Sequence, residues 1–180
     1  MHRTIVAAVT LSMLLAAGAC SSDAESAPTV AGTSAPVGGT ASRPAPVAET
    51  KAPVDAGAVL THLKAADLGL TRTAVQDEDT DPNDLLGRPN GYLSRASADL
   101  PGGDSSADEY SVDRGLVIET FADAGAAERR SEYIQGLQKD NPILGTEWHY
   151  MTAAGTVLVR VSGNVKPSRA QRIEAAVAGL

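Results

Sequence analysis

All six aromatic side chains of this chain, Tyr92, Tyr110, Phe121, Tyr133, Trp148 and Tyr150, lie between positions 92 and 150. Large aromatic rings carry much of the buried area of a small domain, so the packed core is expected there. The first 54 residues contain no aromatic at all. From 21 to 54 the chain is built of Ala, Ser, Thr, Pro, Gly and Val, with Pro28, Pro36, Pro44, Pro46 and Pro53 spaced too closely for a helix and without strand alternation between them. Such a stretch cannot bury enough surface to offset its ordering entropy, so it is expected to be a disordered linker, its ends on the order of 30 Å apart. The expected globular domain is 55–180, within the size of one domain.

The N-terminus has its own signature. Arg3 gives a short positive start, Ile5 to Ala17 is apolar for about 13 residues, and Ala17-Gly18-Ala19 leads to Cys20, the only cysteine. The apolar run is shorter than the ~20 residues a spanning helix needs. The segment resembles the signal peptide and lipobox of bacterial lipoproteins, with Ala17 where that family usually has leucine. The resemblance implies that 1–19 is a removable leader. It further implies that Cys20 carries a diacylglycerol on its thiol and opens the anchored linker 20–54. Two acyl chains hold a protein stably where one holds it marginally. The membrane is thus an expected partner, through lipid at Cys20 on the extracytoplasmic face.

Charge narrows the remaining partners. The net charge is −7, and the acidic surplus sits in residues 55–113, which carry four basic and twelve acidic groups against eight and seven in 114–180. An acidic surface repels phosphate backbones, so no nucleic acid is expected. With one cysteine there is no intrachain disulfide.

Within the domain, Asp55 caps an expected helix to about Leu68 with Val59, Leu63 and Ala66 inward, His62 at the edge of that stripe and Gly69 as its stop. A strand from Thr71 to Gln76 follows. Asp81, Pro82 and Gly87 read as the cap, first residue and stop of a short helix, and Arg88-Pro89-Asn90-Gly91 as a turn. Tyr92 to Ala98 alternates as a strand, and 99–113 is a long polar loop. Leu116 to Phe121 is an apolar strand. Asp123 caps a helix to about Lys139, with Ala127, Ile134 and Leu137 inward and Arg129, Arg130 and Glu132 toward water. Asn141-Pro142 breaks it. Glu147–Met151 and Val157–Val161 form a hairpin around Gly155, and Pro167 opens a last helix that buries Ala170, Ile173 and Val177. The order α-β-β-β-α-β-β-α predicts an α+β fold, an antiparallel sheet of about five strands with helices packed on one face.

Chemistry-bearing patterns are sparse. Carboxylates at Asp77, Glu78, Asp79, Asp81 and Asp84 suggest calcium, but an EF-hand loop begun at Asp77 meets Pro82 where glycine is required and Arg88 where glutamate is required. A zinc site would need His62, His149 and a carboxylate brought together by folding. No G-x-S-x-G elbow and no phosphate-cradling glycine loop occurs, and the carboxylates read as solvated. No cofactor, no metal and no catalytic residue is expected. An envelope hydrolase, metal-dependent or using His149 with Glu147, stands as the alternative.

The stretches Asp81–Tyr92, Phe121–Arg130 and Val157–Gly163 together resemble small uncharacterised lipoproteins or secreted proteins of high-GC Gram-positive actinobacteria, a resemblance that carries no activity. A weaker likeness, Leu-Gly-x-Pro followed by Trp-x-Tyr and a hairpin, links the chain to the small lipoprotein of the outer-membrane barrel-assembly machine, but the intervening strand and helix do not fit. The reading that remains is a tethered binding or interaction domain, taking an envelope protein or a small-molecule ligand. Its candidate contact residues are Arg88, Asn90, Tyr92 and Tyr110 around the turn and the acidic loop.

Overall fold

The computed structural model describes residues 53–180. The expected leader, Cys20 and the linker up to residue 52 lie outside the described residues. The described part is α+β. Its elements are α1 (Ala56–Ala65), β1 (Thr71–Gln76), β2 (Ser94–Asp99), β3 (Gly115–Thr120), α2 (Ala124–Asp140), β4 (Glu147–Met151), β5 (Val157–Ser162) and α3 (Pro167–Ala178), with short 3-10 turns at Val112–Arg114 and Pro142–Leu144. The five strands form one sheet, ordered β1-β2-β3-β5-β4, and every neighbouring pair is antiparallel.

Local chemistry sets the helix boundaries. Asp55 accepts from the Gly57 and Ala58 amides, and Asp123 from that of Ala126, so each carboxylate satisfies donors that the first turn leaves free. Pro167 stands at the first turn of α3, where its missing N–H costs nothing. α1 stops three residues short of Leu68 because the chain turns through Asp67 at φ +49° and Gly69 at φ +79°. Leu60 rather than Ala66 then joins Val59 and Leu63 in the core.

The two faces of the sheet differ in kind. One carries Ala96, Ala98, Leu116, Ile118, Val157, Val159 and Val161, and packs against Val59 and Leu63 of α1 and Ile173 and Val177 of α3. That apolar layer supplies most of the hydrophobic stabilisation. The expectation of helices on one face describes α1 and α3, whereas α2 lies across the other, where a smaller cluster joins Tyr92, Phe121, Ala127 and Leu158. Beside that cluster and the buried Val117, this second face is polar, bearing Gln76, Arg95, Ser97, Glu119, Arg160 and Ser162, all buried.

The short helix expected after Asp81 does not form. Asp81 does cap main-chain donors, but its Oδ2 takes the amides of Leu85 and Leu86 and its Oδ1 that of Asn83, bonds that compete with a helical ladder. The chain then reverses through Asp84 at φ +54° and Gly87 at φ +70°. β2 begins at Ser94 rather than Tyr92, because Tyr92 turns inward with Phe121, their rings edge to face at 6.3 Å. The long loop from 100 to 111 is tied down by Arg114, which pairs with Asp99 at 2.6 and 2.9 Å and donates to the carbonyls of Ser105 and Ala107.

Candidate functional site

The second face of the sheet gathers the ionisable groups. Glu119, near the end of the central strand β3, is fully buried and accepts from Arg130 Nε and Nη2 of α2 at 3.2 and 3.3 Å and from Arg160 Nη1 of β5 at 3.0 Å. Arg160 reaches on to β4, donating from Nε to Glu147 Oε2 at 2.7 Å and from Nη2 to Oε1 at 2.8 Å. Gln138 also donates to Glu147, at 2.9 Å. On the β2 side, Arg95 donates to Gln76 Oε1 at 3.0 Å and to the Tyr110 carbonyl at 2.7 Å, while its Nε stands 3.7 Å from Asp81 Oδ1 and has no hydrogen-bond partner among the described residues. Asp81 is held in turn by the Tyr92 hydroxyl, and Arg130 lies 6.0 Å over the Tyr92 ring. Arg95, Arg130 and Arg160 thus balance Asp81, Glu119 and Glu147, as buried charges require.

These surroundings shift the groups they enclose. Burial works to raise the Glu147 carboxyl, but hydrogen bonds from His149 and Arg160 and the Arg160 charge outweigh it and hold it down to about 2. The same opposition, with Tyr92 and loop amides as donors, lowers Asp81. Burial, reinforced by the Asp81 carboxylate, raises the Tyr92 phenol well above its ordinary value. The expectation that the carboxylates are all solvated is therefore corrected: Asp77, Glu78 and Asp79 are exposed, but Asp81, Glu119 and Glu147 are sequestered. Arg130 likewise faces Glu119 rather than water, and Leu137 is exposed rather than buried.

His149 bridges Glu147 and α2. Its Nε2 is 3.2 Å from Glu147 Oε2 and its Nδ1 is 2.7 Å from Ser131 Oγ. An ionised Glu147 only accepts, so the Nε2–H of His149 donates to it, and in the tautomer that carries its one proton there Nδ1 accepts from the Ser131 hydroxyl. A serine, a histidine and an acid in line have the makings of a nucleophile relay. The setting lacks the other parts. The Ser131 amide is inside the α2 ladder and cannot serve an oxyanion, serine and imidazole are both buried, and Glu147 is saturated by Arg160 and Gln138. The chain of bonds instead fastens α2 to the edge of the sheet. His62 stands near the Ala176 carbonyl of α3, on the opposite face from His149, so the two cannot share a metal. Among the described residues no three His, Cys, Asp or Glu side chains are grouped to hold a metal ion, and no helix is long and apolar enough to cross a membrane.

A cleft of about 540 Å³ opens over this floor. One wall is Asn83, Leu85, Val112 and Asp113; the other is Tyr133, Ile134, Leu137 and Gln138 of α2 with Leu144, and Arg130, Arg160 and Glu147 reach its floor. Its size and mixture of apolar walls with a few polar groups suit a small ligand. A narrower hollow of about 200 Å³ adjoins it at Asn83, Val112 and Arg160, with Arg95 at its base and Asp108, Glu109 and Ser111 around it. The apolar surface runs on from the cleft wall, where Tyr133 and Leu144 are more than half exposed, to Ile143, which is almost wholly so.

The four contact residues expected from sequence do not assemble into one surface. Arg88 and Asn90 are exposed at the turn, Arg88 paired with Asp84, beside a shallow depression lined by Glu78, Leu86 and Gly87. Tyr110 is half-buried at φ +63° and borders a different hollow, with Arg72 and Arg114. Tyr92 is 0% exposed and offers no surface to a partner. Of the residues that build the cleft, the sequence marks only Glu147 as a functional candidate; Arg130, Ile134 and Leu137 read there as helix-face residues. The signal for the ion-paired network was a charge interrupting an apolar strand: Glu119, beneath the cleft, in Leu-Val-Ile-Glu-Thr and Arg160, which lines it, in Val-Leu-Val-Arg-Val. Comparison with known family models, with curated proteins and with solved structures finds no match.

Proposed function

We propose that residues 53–180 form a binding module, held outside the cytoplasmic membrane by lipid on Cys20, whose cleft takes an amphipathic ligand. The observation that carries this reading is the cleft itself, with leucine, isoleucine and tyrosine walls above a rigid ion-paired floor. An apolar body would lie against Leu85, Ile134 and Leu137. An acidic or carbonyl end would meet Arg130, whose Nη1 has no hydrogen-bond partner among the described residues. The leader-like segment, the small residues before Cys20 and the Pro/Ala/Ser/Thr composition of 21–54 support tethering, since that is the order of parts a lipid-anchored domain needs.

Titration with anilinonaphthalene sulfonate, an apolar anion, tests the cleft. Saturable binding to the folded protein is expected, with Leu137→Glu and Arg130→Gln each weakening it about tenfold while the far-ultraviolet spectrum stays native. No binding, or binding indifferent to both substitutions, overturns the assignment. Tethering is tested separately by fractionating cells that express Cys20→Ser. The variant is expected to leave the membrane fraction or to remain unprocessed, and a normally processed, membrane-bound variant overturns the anchor.

A further inference from the structure

The two edges of the sheet are treated differently. Edge strands offer unpaired main-chain groups to other chains, and proteins blunt them with bulges and charges. β1 is blunted: its register with β2 slips between Thr71 and Ala74, Arg72 sits at φ +44°, and the Arg72 side chain is 78% exposed. β4 is not. Its five residues pair with β5 without a shift, and it contains no proline, lysine or arginine.

The ladder shows which groups of β4 are free. Thr152 N–H donates to the Val157 carbonyl and Gly163 N–H to that of Thr146, so in this register Trp148 and Tyr150 turn their main-chain groups toward β5. Those of Glu147, His149 and Met151 point away from the sheet, and no turn, loop or side-chain bond among the described residues engages them. His149 is only half-buried as a residue although its side chain is 3% exposed, so its exposed part is main chain. Trp148 and Met151 present exposed side chains along the same strand.

We propose that β4 is the interface of a homodimer, pairing antiparallel with β4 of a second copy about a two-fold axis through His149. In that register the three outward-facing residues of each copy meet those of the other: His149 opposite His149, Glu147 opposite Met151. Each pair exchanges two main-chain hydrogen bonds, and one sheet runs through ten strands. The same register sets Trp148 opposite Tyr150 on the α1/α3 face, a cross-strand aromatic pair. It sets no carboxylate against a carboxylate, because Glu147 of each copy faces Met151 of the other, and Glu147 keeps its Arg160 partner within its own chain. The distribution of charge selects this edge over the other. The acidic surplus belongs to residues 55–113, which hold β1, β2 and their loops, while 114–180 are nearly neutral. Two copies joined at β4 keep their acidic ends apart; two joined at β1 would bring them together.

Sedimentation equilibrium on the full chain carrying Cys20→Ser, which excludes lipid and adventitious disulfides, tests the interface. A dimer is expected, weakened about tenfold or more by Met151→Lys and unchanged by Val75→Lys on β1, with melting curves confirming that both variants fold. In the same Cys20→Ser background, a mixture of Trp148→Cys and Tyr150→Cys chains is expected to oxidise to a mixed disulfide faster than either alone. A chain that stays monomeric, a dimer indifferent to Met151→Lys, or crosslinking no better in the mixture overturns the proposal.

Discussion

Arg160 grips Glu147 with two parallel hydrogen bonds, Nε to Oε2 at 2.7 Å and Nη2 to Oε1 at 2.8 Å, and turns its third nitrogen to Glu119 at 3.0 Å. One guanidinium therefore ties three strands, β3, β5 and β4, across the polar face of the sheet. Removing it leaves two carboxylates buried without that cation. Arg160→Met is expected to cost about 3–5 kcal/mol, read as a lower urea midpoint with unchanged slope. Arg160→Met combined with Glu147→Gln is expected to cost less than the two single changes together, since the second substitution removes one of the stranded charges.

The same pair makes stability depend on acid. Glu147 has an ordinary value of 4.5 and is held near 2 in the folded chain. A group whose folded value is depressed contributes its full stabilisation above the unfolded value and loses it as pH falls through the folded one. Stability from Glu147 is therefore complete above about pH 4.5 and disappears toward pH 2, a change on the order of 3 kcal/mol. Asp81 is shifted in the same direction and adds to the slope. Melting temperatures measured from pH 2 to 5 are expected to rise steeply in the parent and less steeply in Glu147→Gln.

Tyr92 is a structural residue. Its ring packs edge to face on Phe121, and its hydroxyl donates to Asp81 while accepting from Asn83 Nδ2 at 3.2 Å. Tyr92→Phe keeps the ring and deletes a hydrogen bond to a buried carboxylate, so a loss of about 1.5–3 kcal/mol is expected, with probe binding in the cleft retained. Chemical denaturation monitored by Trp148 fluorescence measures it.

Gly91 is fixed by space. A Cβ there would stand 1.9 Å from the Leu85 carbonyl oxygen, a main-chain atom that the Asp81 loop cannot easily move. Gly91→Ala is expected to destabilise by about 1–3 kcal/mol and to speed proteolysis between Asp81 and Tyr92. Gly136→Ala, where nothing among the described residues lies within 4 Å, is the contrasting control and is expected to be neutral or slightly stabilising.

The order of elements, the α+β class and most boundaries were legible in the sequence because they rest on local chemistry. Asp55 and Asp123 announce helices by offering a carboxylate to free amides, Asn141-Pro142 ends one, and Gly155 supplies the left-handed residue of a hairpin at φ +71°. Periodicity also placed Trp148 and Tyr150 on one face of β4 and Glu147 and His149 on the other. What periodicity cannot say is what lies over a face. Helix α2 came down on the polar side of the sheet, and that choice turned Arg130 inward to Glu119 and left Leu137 at the rim of a cleft. A charge in a strand reads the same whether it will face water or a partner forty residues away. Glu119 and Arg160 became a buried pair only when β5 inserted between β3 and β4. The sequence alone determined which segments become strand or helix and where they stop, since those choices are made within a few residues of chain. The tertiary structure decided which ionisable groups are sequestered, because burial of a charge depends on distant partners arriving with the opposite sign.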